Sequence, residues 1–278
     1  MKRVQRATAL TGAICLAASL IGGSAFAECS PKHKFETLHA GQLTVAVTTQ
    51  PPQSFMTTEG EFGGVESDIL KKFAEMECLK ISPSLISGNT AVQYIVAGKA
   101  DLVVGGWYRT EARSKIVGLS YPIYIDRMAL YSKSGISTVD DMVGKKIGTV
   151  SGYLWVDDLR KLLGDGLALY PDVDNALNDL RAGRIDAVAN SYISGVAAID
   201  SGSLAGYKVE VVGADPRVAA TVEPAQSAFP YIKSEEALGK ALDDDIQEMQ
   251  RDGSMTETLK SYKLDPSLGD TGAPRLIK

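Results

Sequence analysis

The chain has 278 residues, 45% hydrophobic, 23% charged and 7% aromatic, an ordinary globular make-up that excludes disorder, collagen-like repeats and long coiled coils. Lys and Arg number 29 against 34 Asp and Glu, and the resulting net charge of −5 argues against a role in holding nucleic acid or coating an anionic membrane. Only two histidines, His33 and His39, and three cysteines are present, so zinc, Ser–His–Asp and histidine acid–base chemistry have little to work with; the length allows one large domain or two of about 100–150 residues.

Residues 1–27 read as an export signal. Lys2, Arg3 and Arg6 form a basic start, and Ala7 to Ile21 is an apolar stretch short for a full membrane span. Ala25-Phe26-Ala27 is a small-x-small cleavage signature that puts the cut before Glu28. Neither Cys15, after Ile14, nor Cys29, after Glu28, sits in a lipoprotein context, so a soluble exported product is expected rather than a lipid-anchored one. Cleavage leaves 251 residues, and the loss of three basic and no acidic residues takes the net charge to −8. Cys29 and Cys78 remain. An even pair in an oxidising compartment reads as one disulfide tying the new N-terminus to the end of the first helix; the alternative is two separate buried thiols.

In the mature chain, Leu43 to Thr48 is a short β-branched run between Gly41 and Pro51-Pro52, which predicts a buried strand. Pro51 to Gly64 is a loop. Ser67 to Leu79 carries apolar residues at 69, 70, 73, 74, 76 and 79, a helical stripe. Ile81 to Ile86 is a second strand, Asn89-Thr90 caps a helix ended by Gly98, and Asp101 to Gly106 is a third buried strand. This alternation predicts a parallel sheet covered by helices. Tyr121 to Tyr131 is then a long apolar extended run that fits a crossing between two lobes. A second series follows: strand Lys145 to Val150, helices Leu154 to Leu163 and Asn175 to Ala182, strand Ile185 to Ala189, helix Ile193 to Ile199 and strand Tyr207 to Val212. Ser227 to Ile232 is a further strand, residues 235–251 and 254–262 are helices, and an extended tail starts near Pro266. Ligands of open α/β sheets bind beyond the carboxyl ends of strands, which points to 50–55, 105–113 and 151–155.

Five blocks, in order, resemble the periplasmic solute-binding proteins of ABC importers, in their polar-amino-acid branch (family 3). They are PPQSF with GGVESDI (51–55, 63–69), GKADLVVGGWYRTEARSKIVGLSYPIY (98–124), GKKIGTVSG (144–152), LRAGRIDAVANS (180–191) and MQRDGSMTETLKSY (249–262). The resemblance covers nearly all of the mature chain. It implies an α/β, two-lobed type II binding-protein fold, each lobe a mostly parallel sheet flanked by helices. Residues 28–123 plus 224–278 would form lobe 1 and 124–223 lobe 2, with hinge strands near 120–127 and 219–226. It implies a monomer with no cofactor or metal that captures a small carboxylate-bearing solute in the cleft and delivers it to an inner-membrane ABC permease.

The resemblance also assigns a site. Arg113 matches the arginine whose planar, permanently charged fork grips a ligand carboxylate. Gly106 and Tyr108 fall on positions that hydrogen-bond the ligand, with Tyr108 extending its hydroxyl outward by a ring where Ser or Thr is usual. Trp107 is placed as a pocket wall, Phe55 lies in the first loop, and the N–H groups of Tyr153 and Leu154 are expected at a helix start facing the cleft. Two departures stand out. Pro52 replaces a stacking aromatic, and Ser191, after Asn190, replaces the Asp that meets a ligand α-ammonium. That pattern predicts weak binding of ordinary amino acids, or a ligand whose nitrogen is absent, acylated or elsewhere. The alternatives are a lyase or dehydratase on the same fold, with Glu66, Asp68 or Glu223 as its acid, and a periplasmic accessory protein of another enzyme. Of these, Glu66 reads as solvated, Asp68 as a residue of a helix first turn and Glu223 as hinge-adjacent.

Overall fold

The computed structural model of the chain describes residues 29–277. The predicted export signal, its cleavage point before Glu28 and Cys15 lie outside the described residues. No helix among the described residues is long and apolar enough to cross a membrane.

Two five-stranded sheets carry the architecture. In the first, Gln42–Val47 lies between Lys80–Leu85 and Leu102–Val104 and is parallel to both. Pro230–Tyr231 pairs antiparallel with Leu102 on one side and with Gly118–Leu119 on the other. In the second, Leu167–Tyr170, Ile147–Val150 and Ala187–Ser191 are parallel. Met128–Ser132 runs antiparallel to Ala187–Ser191, and Lys208–Val211 pairs antiparallel with it at the edge. Each sheet thus has four strands in one direction and one reversed. The reversed strand is in each case the one the chain enters on crossing from the other lobe.

The crossings themselves, Tyr124–Asp126 and Ala225–Ser227, pair antiparallel, with Asp126 opposite Ala225 and Tyr124 opposite Ser227. The single run expected over 121–131 breaks at Arg127, because the chain must leave the crossing pair to join the second sheet at Met128. The second hinge strand, expected from 219, starts only at Ala225. Ala219–Val222 is a short helix instead, its first N–H donated to Asp158 Oδ2 at 3.0 Å. The run expected over Ser227 to Ile232 divides for the same topological reason into the crossing Ala225–Ser227 and the sheet strand Pro230–Tyr231.

Local signals shift other boundaries. The first helix is Val65–Met76, two residues earlier than its apolar stripe. Its leading N–H groups, on Val65 and Glu66, donate to the carbonyls of Pro52 and Gln53 at 3.0 and 2.9 Å, so the first loop satisfies the helix start. That closeness requires glycine at 64, where φ is 109° and a Cβ would lie 2.6 Å from the Gln53 carbonyl. Thr90 does not cap with its side chain; a 3₁₀ turn over Gly88–Thr90 runs into helix Ala91–Val96, and the Thr90 hydroxyl donates to Ser87. The C-terminal segment is a 3₁₀ turn, Pro266–Gly269, and then a stretch stitched to the second crossing. Gln226 Nε2 donates to the Thr271 and Ala273 carbonyls at 2.8 and 2.9 Å, and Gln226 Oε1 accepts the Arg275 N–H at 2.8 Å.

Each lobe closes over its own apolar core. Leu43, Val45, Phe73, Leu102 and Leu242 are fully or almost fully buried in the first, and Leu130, Ile147 and Leu159 in the second. Burial of each such side chain stabilises by about 1.5–3 kcal/mol. Ile193, from helix Tyr192–Asp200, packs into the first core and ties the second lobe to it near the crossings.

The N-terminal strap is held twice. Cys29 and Cys78 form a disulfide with Cα atoms 5.7 Å apart. The His33 N–H donates to Glu77 Oε2 at 3.0 Å, and its ring nitrogens lie 2.7 Å from Glu77 Oε1 and 3.2 Å from Asp244 Oδ2. The hydrogen bond His33 makes to the Glu77 carboxylate holds its pKa above the ordinary value. The disulfide spans a sequence separation of 49 residues. Closure of a loop that long stabilises by about 2–4 kcal/mol through the unfolded chain. Reduction should therefore lower the melting temperature by several degrees and leave ligand affinity unchanged, since the strap is remote from the cleft described next. Thiol titration and a thermal melt check this; an unchanged melt after complete reduction would refute it.

Candidate functional site

The three strand-end loops converge on a cleft of about 170 Å³ between the two sheets. The first lobe contributes Gln50 and Gln53 from the loop after Gln42–Val47, then Gly105, Gly106 and Tyr108 from the loop after Leu102–Val104, and Arg113. The second contributes Gly152, Tyr153, Leu154 and Trp155 after Ile147–Val150, and Asn190 and Ser191 at the end of Ala187–Ser191. That end is two residues beyond the expected strand, and the shift brings Asn190 and Ser191 to the cleft edge of the sheet.

Arg113 is on the short helix Glu111–Ile116, capped by Thr110, whose hydroxyl accepts the Arg113 N–H at 3.1 Å. Its guanidinium is partly buried. Nη1 donates to the Tyr108 carbonyl at 2.7 Å, and the group stands 4.6 Å over the Trp107 ring. Burial pulls its pKa below the ordinary guanidinium value. Among the described residues no carboxylate forms a salt bridge with it. Trp107 is therefore a support behind Arg113 rather than a wall of the cleft, and its Nε1 donates to Thr48 Oγ1 at 3.2 Å. Phe55 does not line the cleft either. It pairs with Gly63 in the hairpin Phe55–Met56/Phe62–Gly63, its ring so close that a Cβ at 63 would come within 2.7 Å of it.

The Gly105-Gly106 turn is fixed by Glu66. Instead of being solvated, Glu66 is fully buried. Its Oε2 accepts the Gly105 N–H at 2.6 Å, and Oε1 accepts the Gly106 N–H at 3.0 Å and the Tyr124 hydroxyl at 2.5 Å. Burial raises its pKa and these three donors oppose the rise. Position 105 admits only glycine: φ is 132°, and a Cβ would fall 1.8 Å from Thr48 Oγ1. Asp68 is on the first turn of the same helix, where its Oδ2 accepts the Tyr262 hydroxyl at 2.7 Å, and Glu223 ends the helix Ala219–Val222. Glu66 and Asp68 thus have separate structural partners, and none of the three carboxyls lines the cleft.

The Tyr108 hydroxyl does not project outward. It donates to Asp126 Oδ2 at 2.9 Å, on the first crossing strand. Asp126 is buried, and burial pushes its pKa up to about 6; the Ser191 hydroxyl and the Tyr108 hydroxyl act against that rise. Asp126 Oδ1 and Asn190 Oδ1 are buried without a hydrogen-bond partner among the described residues. The Ser191 hydroxyl caps helix Tyr192–Asp200 by accepting the Ser194 N–H at 3.2 Å. In the second lobe the helix after the 151–155 turn starts only at Val156, and the Tyr153 N–H is taken by the Val150 carbonyl at 3.3 Å. Tyr153 lines the cleft through its ring, edge-on to Trp155 at 5.4 Å, and not through a free helix N–H.

The stretches 50–55, 105–113 and 151–155 expected at the cleft contain Gln50, Gln53, Gly105 and Trp155, which sequence reading did not single out, and it missed Asp126. The last had a signal: a lone acid in the apolar run Tyr121 to Tyr131, sharing one strand face with Tyr124. Away from the cleft, His33, Glu77 and Asp245 place metal-ligand atoms within 4.8 Å of one another. His33 bonds Glu77 and Lys32 Nζ stands 3.9 Å from Asp245, whose two carboxylate oxygens are buried without a hydrogen-bond partner among the described residues.

The sequence pattern described as bacterial extracellular solute-binding proteins, family 3, matches residues 43–265. The L-cystine-binding protein TcyJ of Escherichia coli (strain K12) is 28% identical over 221 residues, covering 77% of this chain and 80% of that protein. The lysine/arginine/ornithine-binding periplasmic protein of the same strain is 22% identical over 259 residues, covering 89% and 95%. The structure of an ancestral arginine-binding protein bound to glutamine aligns with a TM-score of 0.65 at 24% identity, covering 81% of this chain and 98% of that one. Such likeness shows the two-lobed type II fold.

Proposed function

This chain belongs to the bacterial extracellular solute-binding proteins, family 3, and we propose that it captures a small carboxylate-bearing solute, an amino acid or a derivative, in the interlobe cleft and delivers it to an ABC permease of the inner membrane. The family binds solutes rather than transforming them, which sets the lyase and dehydratase readings aside. The observation that carries the proposal is Arg113, a partly buried guanidinium lining the cleft with no carboxylate paired to it among the described residues. A cation so placed lacks only its anion, and a planar fork selects a carboxylate. Gly106 and Tyr108 on one side, and Tyr153, Leu154, Asn190 and Ser191 on the other, would enclose the rest of the solute. Relatives whose names give cystine, or lysine, arginine and ornithine, as their ligands support an amino acid. In this reading residues 1–27 are removed on export, the mature protein works as a periplasmic monomer, and the lobes close about the two crossing strands. Native mass spectrometry of protein taken from its own periplasm should show a co-purified small carboxylic acid bound one to one. Calorimetry with that compound should give a saturable isotherm, and small-angle scattering should show compaction on saturation. No binding of any carboxylic acid, or an unchanged radius of gyration at saturation, would sink the proposal.

A further inference from the structure

We infer that His33, Glu77 and Asp245 form a binding site for a divalent transition-metal cation of the zinc class, a clip that fastens the N-terminal strap to the first lobe away from the ligand cleft. The expectation from sequence was no metal, and the three residues stand far apart in the chain, so only folding collects them. His33 is on the strap, Glu77 follows helix Val65–Met76, and Asp245 is buried on helix Glu236–Arg251. Their ligand atoms lie within 4.8 Å of one another. None of the three lines the cleft.

Asp245 carries the argument. It is 0% exposed, and neither of its carboxylate oxygens has a hydrogen-bond partner among the described residues. Glu77 is 3% exposed. Ionised carboxylates only accept, so two of them buried side by side cannot satisfy each other and call for a cation between them. Lys32 does not fill that place. Its Nζ is 3.9 Å from Asp245 Oδ1, beyond hydrogen-bond reach, and is committed to Glu248 Oε1 at 2.7 Å.

His33 selects the kind of cation. An imidazole nitrogen beside two carboxylates suits zinc, whereas calcium takes about six to eight oxygens. The outer partner of such a histidine is present too. His33 Nε2 stands 3.2 Å from Asp244 Oδ2, which also accepts Lys240 Nζ, and Nδ1 stands 2.7 Å from Glu77 Oε1. An Nε2–H donated to Asp244 leaves Nδ1 to face the ion, with the carboxylate fixing the ring and its tautomer. The ion then takes the place of the proton that Nδ1 donates to Glu77 in the metal-free protein, and that proton leaves to solvent. Ligand atoms around one zinc stand about 3–3.5 Å apart, so small side-chain rotations close the group on it. His33 is partly exposed, which gives the ion a way in and leaves its fourth position to water.

The test titrates the untagged, disulfide-bonded protein, stripped with EDTA and dialysed, with ZnCl₂ at about pH 7.5. Calorimetry should show one Zn²⁺ per chain with a Kd of about 1 µM or tighter, and saturating Zn²⁺ should raise the melting temperature, since the unfolded chain keeps the three ligands apart. His33→Ala and Asp245→Asn should weaken binding about a hundredfold or more, and Asp244→Asn, which removes only the charge of the outer partner, about tenfold. Lys32→Met removes the competing cation and should tighten Zn²⁺ binding severalfold, whereas a plain ion-pair network would lose stability on that change and bind no metal. Should a variant not fold, the ring resonances of the wild type decide: Zn²⁺ should shift those of His33 and leave those of the exposed His39 in place. No saturable Zn²⁺ binding by the wild type would overturn the site and leave a proton shared between Asp245 and Glu77 to fill the gap. Equal binding by the wild type, His33→Ala and Asp245→Asn, or binding with the His33 resonances unmoved, would mean an adventitious ion only and would overturn it as well.

Discussion

Arg113→Ala should abolish ligand capture at ordinary solute concentrations while leaving the fold intact. The helix that carries it, Glu111–Ile116, has no fully buried residue, and Arg113 itself is only partly buried, so truncation removes little core packing. What it removes is the fork held over Trp107 and bonded to the Tyr108 carbonyl. The ligand carboxylate would then sit in the closed cleft unpaired, a loss of about 3–5 kcal/mol or roughly two to four orders of magnitude in Kd. Arg113→Lys keeps the charge and loses the planar fork, so it should recover part of that loss and no more. Calorimetry of the two variants against the co-purified ligand measures both effects. A Kd for Arg113→Ala within threefold of the wild type would show that the carboxylate is held elsewhere.

Glu66→Ala is the substitution expected to cost the fold most. Glu66 is fully buried and serves three donors: the N–H groups of Gly105 and Gly106 and the Tyr124 hydroxyl. Without it all three are left dry, and at about 1–3 kcal/mol each the penalty is about 3–6 kcal/mol after partial relaxation. The damage is also functional, because the Gly105-Gly106 turn leads into Tyr108. Glu66→Gln preserves the shape but turns an amide N–H₂ toward a backbone donor, so its loss should be intermediate. Denaturant unfolding of the two variants gives the stabilities, and ligand titration of the folded fraction should show weakened binding for both. A change below 1 kcal/mol for Glu66→Ala would mean that water takes over the freed donors.

Much of this architecture was legible in one sequence. The alternation of short β-branched runs with helical stripes places the strands and helices in order, because side-chain periods of 2 and 3.6 are written locally. The parity of Cys29 and Cys78 pointed to their pairing, and the structure has that disulfide. Arg113, Gly106 and Tyr108 fall together in the cleft with Tyr153, Leu154, Asn190 and Ser191, while Trp107 and Phe55 serve the parts behind it. Strand ends were less legible. Whether the chain stays in one sheet or leaves for another, as at Arg127, depends on which partner strand is waiting.

The sequence by itself determined most of the elements, though not strand Leu167–Tyr170 or the helices Glu111–Ile116 and Ala219–Val222, and it determined the pairing of two cysteines and the residue types offered to the cleft, since those are set within a few neighbouring positions or by simple counting. Only the tertiary structure decided what the polar residues do. Glu66 is a buried clamp because Tyr124, 58 positions away, is brought across its carboxyl. Asp126 accepts the Tyr108 hydroxyl because a crossing strand passes beside a loop that no local pattern links to it. A carboxyl group has the same covalent structure in water and in a core; its charge, its partners and its task follow from the desolvation and the donors that distant segments impose on it.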